Sequence, residues 1–244
     1  MYFDRPKYKE FAKKQLNGRW LYPILISAII FIILEILNAP QLMRTYNFIT
    51  SSESSIALLN GDFMDIASSI SDIQRAYSTW EAIVQGIIEN ILIVAALSVF
   101  IKMSRSPDKV PFNEFFAGFS DWWRALIAYL WELLWVFLWA LLFIIPGIVK
   151  AFEYSQTEYL IAEFKNLSPI KAMNISKIIT KGYKGSLFVM TLSFLPWDIL
   201  CIMTCGLGSI FLTPYKQMSY VNAYHAMLKD ALENGKILME DLGE

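Results

Sequence analysis

Histidine and cysteine are almost absent from this chain of 244 residues. His225 is the single histidine, so one chain cannot assemble a histidine metal cluster or a histidine-based catalytic triad. Cys201 and Cys205 are four residues apart in one apolar run, which is typical of two buried, unreactive thiols on one helix face. A glycine-rich phosphate loop is also missing, because residues 206–208 lack a third glycine and a preceding strand. We therefore expect no enzymatic activity and no catalytic, cofactor or metal site.

Apolar residues, in contrast, make up 56% of the chain, which is too much for an ordinary soluble domain. Several apolar runs approach the roughly 20 residues that cross a bilayer as a helix. The sequence predicts an all-α fold, namely a polytopic membrane helix bundle of about six transmembrane helices with amphipathic interfacial helices. We divide it into a basic amphipathic helix at 1–19, a membrane domain at 20–228 with an outer loop at 41–81, and a cytoplasmic tail at 229–244.

The six predicted spans follow from the apolar runs and from the residues that interrupt them. Asn38-Ala39-Pro40 is predicted to close the first span, and Pro146-Gly147 to form the turn between the third and fourth. Pro214 and Lys216 are expected to break the sixth. In the outer loop, Asp62 is a predicted N-cap of a helix that leads into the second span. The predicted spans are Trp20–Leu37, Ile83–Ile101, Ala125–Ile145, Ile148–Phe164, Leu187–Thr204 and Leu207–Leu228.

The distribution of basic residues predicts the orientation of these spans. Residues 1–19 are basic and have apolar residues at helical spacing, as in a helix that lies on a membrane surface. The loop at 41–81 holds only Arg44 and Arg75 as basic residues, so the positive-inside rule places it outside and both termini in the cytoplasm. One inner loop is rich in lysine, which is consistent either with binding of anionic lipid headgroups or with a plain topology signal. Those lysines are Lys171, Lys177, Lys181 and Lys184. We expect no nucleic-acid partner, because this loop is short and joined to the membrane at both ends.

Charged residues inside the predicted spans are the candidates for a functional site, because charge in a bilayer is costly. The buried polar core is predicted to contain Glu89, Glu132, Lys150, Glu153, Tyr154, Glu158, Asp198 and Lys216. Helical spacing places Lys150, Glu153 and Glu158 on one inward-facing stripe. Depth along the spans predicts a Glu158–Lys216 pair near mid-membrane and leaves Lys150 available to Glu153 or to a neighbouring carboxylate above it. Since carboxylates outnumber lysines, we predict an acidic cavity that opens outward between spans two, four, five and six. The alternative is that the spans are shifted and several of the acids reach the membrane interface.

Three segments resemble a widespread family of bacterial integral membrane proteins that is known only as a domain of unknown function. They are PGIVKAFEYSQTEYLIAE at 146–163, SPIKAMNISKIITKGYKGSLF at 168–188 and LSFLPWDILCIMTCGLGSIFLTPY at 192–215. The family is similar in layout to the membrane domain of some glycerophosphodiester phosphodiesterases. The resemblance implies a six-span bundle in a bacterial cytoplasmic membrane, and it brings no catalytic residues.

Two classes of function are consistent with these features. The first is a non-enzymatic module that handles lipid or scaffolds a membrane-protein partner, with its buried charges joining helices. The alternative is a transporter-like protein that moves a proton, a cation or a small polar solute through its core. We favour the first because the chain shows no inverted repeat. A packed centre would support the first class, and a cavity that reaches the charges would support the second.

Overall fold

The structure of the chain is a computed structural model that describes residues 3–51, 56, 59–75, 79–108 and 110–243. All regular elements in these residues are helical, so the predicted fold class is confirmed. Two 3₁₀ turns occur at Gly118–Asp121 and Met239–Leu242. The helices are α1 Arg5–Leu16, α2 Leu21–Ile49, α3 Phe63–Arg75, α4 Thr79–Arg105, α5 Asn113–Ala117, α6 Trp122–Leu142, α7 Ile144–Tyr154, α8 Thr157–Glu163, α9 Pro169–Ile179, α10 Lys184–Leu192, α11 Leu195–Met203 and α12 Ser209–Glu233.

Among the described residues, four helical stretches are long and apolar enough to cross a membrane. They are Leu21–Ile49, Glu81–Arg105, Asn113–Leu142 and Lys184–Met203. The chain is therefore a polytopic membrane protein by length and composition, and the predicted number of six spans is approximate. The predicted fourth and sixth spans are not among these stretches, for reasons that lie in α7, α8 and α12.

The chain forms two compact units, of which the smaller comprises Ile29–Glu89. In this unit α2 continues through Pro40 to Ile49, so the prediction that the first span closes at Pro40 is wrong. Proline removes only one helical hydrogen bond, and apolar membrane helices tolerate that loss. Arg44 and Glu81 approach to 3.8 Å, and both side chains are exposed. The predicted loop helix is present as α3, and a side-chain cap by Asp62 remains a prediction.

The larger unit comprises Met1–Ala28 and Asn90–Glu244, and α1 packs on α12 within it. Tyr8, Ala12 and Leu16 are buried at successive helical turns of α1. The Asn222 side chain of α12 donates hydrogen bonds to the Tyr8 carbonyl at 3.4 Å and to Gln15 Oε1 at 2.8 Å. The apolar stripe of this helix thus faces protein, whereas the sequence predicts that it faces the membrane surface. The reason is that α12 supplies both an apolar surface and a matching amide.

Helices α6 and α7 form a hairpin that turns at Phe143, where the backbone is extended at φ −155° and ψ 142°. The prediction of a turn at Pro146-Gly147 is therefore wrong by three residues. Pro146 lies in the first turn of α7, where its missing N–H would have no helical partner. Gly147 instead permits close packing, because a Cβ atom built there would lie 2.8 Å from Ala140 Cβ.

The predicted fourth span is divided into α7 and α8 at Ser155-Gln156. With 11 residues, α7 rises only about 16 Å, roughly half of the hydrocarbon thickness. Helix α9 closes the break, since Ser176 Oγ donates to the Glu153 carbonyl at 2.8 Å and accepts from the Gln156 N–H at 3.2 Å. The backbone groups released by the break are thereby satisfied inside the protein.

Helix α12 is continuous from Ser209 to Glu233 with Pro214 in its interior, so the predicted broken sixth span is wrong. Pro214, Met218, Val221 and Tyr224 are buried along it. Packing on α1 and on α9 holds this helix together in spite of its polar residues.

Candidate functional site

The candidate site is a set of charged groups on α7, α10, α11 and α12 of the larger unit. Glu153 is 8% exposed and accepts a hydrogen bond from Lys150 Nζ at 2.8 Å, which confirms the predicted pair. The Lys184 ammonium also binds Glu153, from the first position of α10. The sequence assigns Lys184 only to the inner lysine cluster. One buried carboxylate therefore joins α7 to α10 and carries two cationic partners.

Tyr154 lies at the centre of the same cluster and is 2% exposed. The Nζ atoms of Lys150 and Lys177 lie 5.8 and 5.3 Å from its ring centroid. Lys150 Nζ also lies 5.2 Å from the centroid of Trp139 on α6. Aromatic faces attract ammonium groups at these distances. The inward-facing stripe predicted for α7 thus forms a cluster of lysines around one carboxylate and two aromatic rings.

Lys216 forms a second ion pair, with Asp198 of α11. Its ammonium lies 2.9 and 2.8 Å from the two carboxylate oxygens. The prediction of a Glu158–Lys216 pair is therefore wrong. That prediction assumes one straight fourth span that begins after a turn at Pro146-Gly147. The turn lies earlier, at Phe143, and the helix breaks at Ser155, so Glu158 lies at a different depth from the one predicted. Asp198 and Lys216 instead face each other across the tight turn at 204–208.

Glu158 accepts a hydrogen bond from Asn90 Nδ2 at 2.5 Å. Glu132 on α6 is half-buried. Glu89 belongs to the smaller unit and is exposed, so its prediction as a buried core residue is wrong. It lies next to the buried Asn90, and neighbours on a helix point in different directions. Of these three carboxylates, Glu158 is the one for which the structure describes a hydrogen bond, and the donor is the amide of Asn90.

Among the described residues, the cavity found where the fourth, fifth and sixth predicted spans meet is not the predicted acidic one. A cavity of about 230 Å³ lies between α7, α8, α10 and α12, and its described wall contains Lys216 but no carboxylate. Glu153 and Asp198 do not line the cavity, and each is paired with a lysine. Counting charges along the spans overestimates the acid excess, because it omits Lys184 from the inner loop.

Two further charged contacts are not predicted from the sequence. Glu163, with 4% of its side chain exposed, contacts the Arg105 guanidinium and accepts a hydrogen bond from the Tyr224 hydroxyl. Arg124 is 4% exposed and donates to the Phe164 carbonyl at 2.7 Å and to the Leu167 carbonyl. Both contacts surround the end of α8. The sequence gives little indication of these contacts, because the partners are 40 or more residues apart.

The remaining lysines of the inner cluster differ in their surroundings. Lys171 and Lys181 are exposed, whereas Lys177 is half-buried and Lys184 belongs to the Glu153 cluster. His225 Nε2 lies 2.8 Å from Ser104 Oγ, as expected of a histidine with a structural role.

A helical bundle with apolar outer faces and internal ion pairs defines this chain as a polytopic α-helical membrane protein. The chain matches the family described as "Protein of unknown function (DUF975)" over residues 1–152 and 142–231, and it belongs to that family. The predicted membership of an uncharacterised family is thus confirmed. No curated protein matches the chain, and no solved structure does.

Proposed function

We propose that this protein is a non-enzymatic lipid-binding module of the bacterial cytoplasmic membrane, which holds one acyl chain of an anionic phospholipid. The observation that carries the proposal is an apolar groove of about 580 Å³ with Lys13 in its wall. Its volume lies within the range of small-molecule sites in proteins. The groove is lined by Lys13, Trp20, Trp197, Leu200, Cys201, Thr204, Gly208, Phe211, Leu212 and Tyr215.

The wall of the groove suits a hydrocarbon chain. Trp197, Leu200 and Phe211 expose 55, 52 and 62% of their surfaces, so the groove has apolar walls that lipid can reach. Gly208 keeps the groove open, because a Cβ atom there would lie 3.0 Å from Cys201 Sγ. An acyl chain that lies along these side chains makes closer van der Waals contacts than it makes in the bilayer, and it thereby gains dispersion energy.

The edge of the groove suits an anionic headgroup. Lys13 Nζ lies 5.7 Å from the Tyr215 ring centroid, and Trp20 is an aromatic residue of the type that favours the membrane interface. An ammonium beside an apolar groove complements a phosphodiester attached to an acyl chain. The exposed Lys171 and Lys181 add positive charge for the same headgroups.

The cavity that reaches Lys216 favours the transporter-like alternative, but the pairing of the charges favours the lipid-binding module. Glu153, Asp198 and Glu163 each contact a lysine or an arginine, which is the pattern of charges that join helices. A permeation path needs carboxylates that exchange their partners with a moving ion. Scaffolding of a partner protein remains a further interpretation of the exposed apolar surfaces.

Lipid retention tests the proposal. The protein is purified in detergent micelles and its bound phospholipid is counted by native mass spectrometry. Leu200→Trp should fill the groove and lower the retained phospholipid at least about tenfold, and Lys13→Glu should shift the retained lipid away from anionic species. Leu195→Trp is the matched control, because Leu195 is 48% exposed on the same helix but does not line the groove.

The two cysteines supply a second readout. Cys201 lines the groove and Cys205 does not, so added phosphatidylglycerol should slow alkylation of Cys201 alone. Equal lipid retention in Leu200→Trp and Leu195→Trp, together with an unchanged Cys201 rate, would show that the groove holds no lipid.

A further inference from the structure

The cavity of about 230 Å³ beside the break between α7 and α8 has features that the lipid groove does not use. Its wall combines aromatic faces with hydroxyl and amide groups. Tyr159 donates a hydrogen bond to Gln217 Oε1 at 3.3 Å, and the hydroxyls of Thr191 and Tyr220 lie 2.8 Å apart. The cavity is lined by Phe152, Ser155, Gln156, Tyr159, Leu187, Thr191, Lys216, Gln217 and Tyr220.

Gln156, in the wall of this cavity, has an unsatisfied hydrogen-bond acceptor. The residue is 2% exposed, and its side-chain Nε2 donates to Ser155 Oγ at 2.9 Å. Its Oε1 atom is buried without a hydrogen-bond partner among the described residues. A buried acceptor that lacks a donor is unfavourable, so most such groups in proteins have a partner. The missing partner is a hydrogen-bond donor, and a bound molecule in the cavity can supply it.

The charge of the wall limits the class of that molecule. Lys216 is the charged residue among the described lining residues, and its ammonium is already neutralised by both carboxylate oxygens of Asp198. A charged ligand would therefore find no unpaired opposite charge, which makes its burial costly. The ligand that suits this wall is neutral and carries hydroxyl groups, since a hydroxyl both donates to Gln156 Oε1 and accepts from nearby donors.

The aromatic residues in the wall and the volume of the cavity further limit the class of ligand that it can hold. Phe152, Tyr159 and Tyr220 present ring surfaces against which the C–H faces of a polyol or a sugar pack. A volume of 230 Å³ equals about eight waters at roughly 30 Å³ each. We propose that this cavity binds a neutral polyhydroxyl group between glycerol and a monosaccharide in size, with Gln156 Oε1 as the acceptor for one of its hydroxyls.

This chemistry is shared by the headgroup of a neutral glycolipid and by a free polyol, and the experiment distinguishes them. The full chain is purified in an amine-oxide detergent, whose headgroup carries no sugar. Binding of monoglucosyl diacylglycerol and of methyl β-glucoside is measured separately by native mass spectrometry and by the shift in Tm. Binding of both probes or of the lipid alone indicates a headgroup site, and binding of methyl β-glucoside alone indicates a site for free polyols.

Gln156→Leu should weaken binding of the active probe at least about tenfold, because the ligand hydroxyl loses its acceptor. Gln41→Leu is the matched control, since Gln41 does not line this cavity. If Gln156→Leu does not fold, Gln217→Leu tests the opposite wall with the same expected loss. Leu200→Trp should bind the probe normally, because Leu200 does not line this cavity, so failure of the lipid groove and failure of this site give different results.

Three outcomes would overturn the proposal. The first is that neither neutral probe binds the unmodified protein. The second is that Gln156→Leu and Gln217→Leu both fold and bind the probe as the unmodified protein does. The third is that phosphatidylglycerol, which carries a glycerol together with a net charge, occupies the cavity in preference to both neutral probes.

Discussion

Glu153 has more cationic partners than one carboxylate neutralises. Lys150 and Lys184 both bind it, and their side chains are 23 and 30% exposed. Loss of the carboxylate charge would leave two ammonium groups facing each other in a partly buried position. Glu153→Gln should therefore lower the free energy of unfolding by about 2–3 kcal/mol, as measured by thermal unfolding in detergent micelles.

A matched control for Glu153 lies near the end of α12. Glu233 pairs with Lys229 at 3.6 Å, and both side chains are more than 60% exposed. Solvent screens such a pair, so Glu233→Gln should change the free energy of unfolding by no more than about 0.5 kcal/mol. Equal effects of the two substitutions would show that Glu153 does not join α7 to α10.

Asp230 gives the protein a predictable dependence on pH. A hydrogen bond from Lys236 Nζ at 2.7 Å, with a further one from Tyr183, lowers the pKa of the Asp230 carboxyl. Since the folded pKa lies below the unfolded value of about 3.9, the stabilisation is complete above that value and is lost as the pH falls through the folded pKa. The stability difference between the unmodified protein and Asp230→Asn should be constant at pH 6–7 and should vanish in acid. A difference that stays the same as the pH is lowered through the acid range would contradict this assignment.

At the scale of the elements, the α6–α7 hairpin depends on a close approach at Gly147. A Cβ atom there would lie 2.8 Å from Ala140 Cβ and 2.9 Å from its Cα, and a backbone atom cannot move aside without shifting the helix. Gly147→Ala should separate the two helices and lower the free energy of unfolding by about 1–3 kcal/mol. Thermal unfolding in micelles measures the effect.

Gly185 is the control position for Gly147→Ala, because an alanine there would not clash with a neighbouring helix. It lies in the first turn of α10, and a Cβ atom there would have no heavy atom within 4 Å. Gly185→Ala should be neutral or stabilising by up to about 1 kcal/mol, because alanine restricts the unfolded chain. If both substitutions have the same sign and size, hairpin packing does not explain the effect at Gly147.

At the scale of the whole molecule, the positive-inside rule predicts both termini in the cytoplasm and the loop at 41–81 outside. Two exposed positions can report on this orientation: Leu59 is 87% exposed, and Lys181 in the loop that is predicted to lie inside is also exposed. In a background with Cys201→Ser and Cys205→Ser, an impermeant maleimide should label Leu59→Cys in intact cells. Lys181→Cys should react only after permeabilisation, and its labelling in intact cells would reverse the topology.

Several features were predictable because they depend on local sequence. Long apolar runs predict helices and membrane insertion wherever they occur, and four such helices are present in the part of the chain that the structure describes. The pair of Lys150 and Glu153 was predictable because residues three apart share a helix face. The resemblance to an uncharacterised family was also carried by contiguous segments of the chain, and it is confirmed over residues 1–152 and 142–231.

The sequence by itself thus determined that this protein is helical, apolar and polytopic, because backbone hydrogen bonds in hydrocarbon must be satisfied within each helix. Only the tertiary structure decided where the helices stop and which charges meet. Ser176, 20 residues from Gln156, completes the hydrogen bonds at the break between α7 and α8, and the break sets the level of Glu158. Lys216 then pairs with Asp198 across an adjacent turn. These contacts join residues far apart in the chain, so no local pattern encodes them, and their energies exist only when the helices pack.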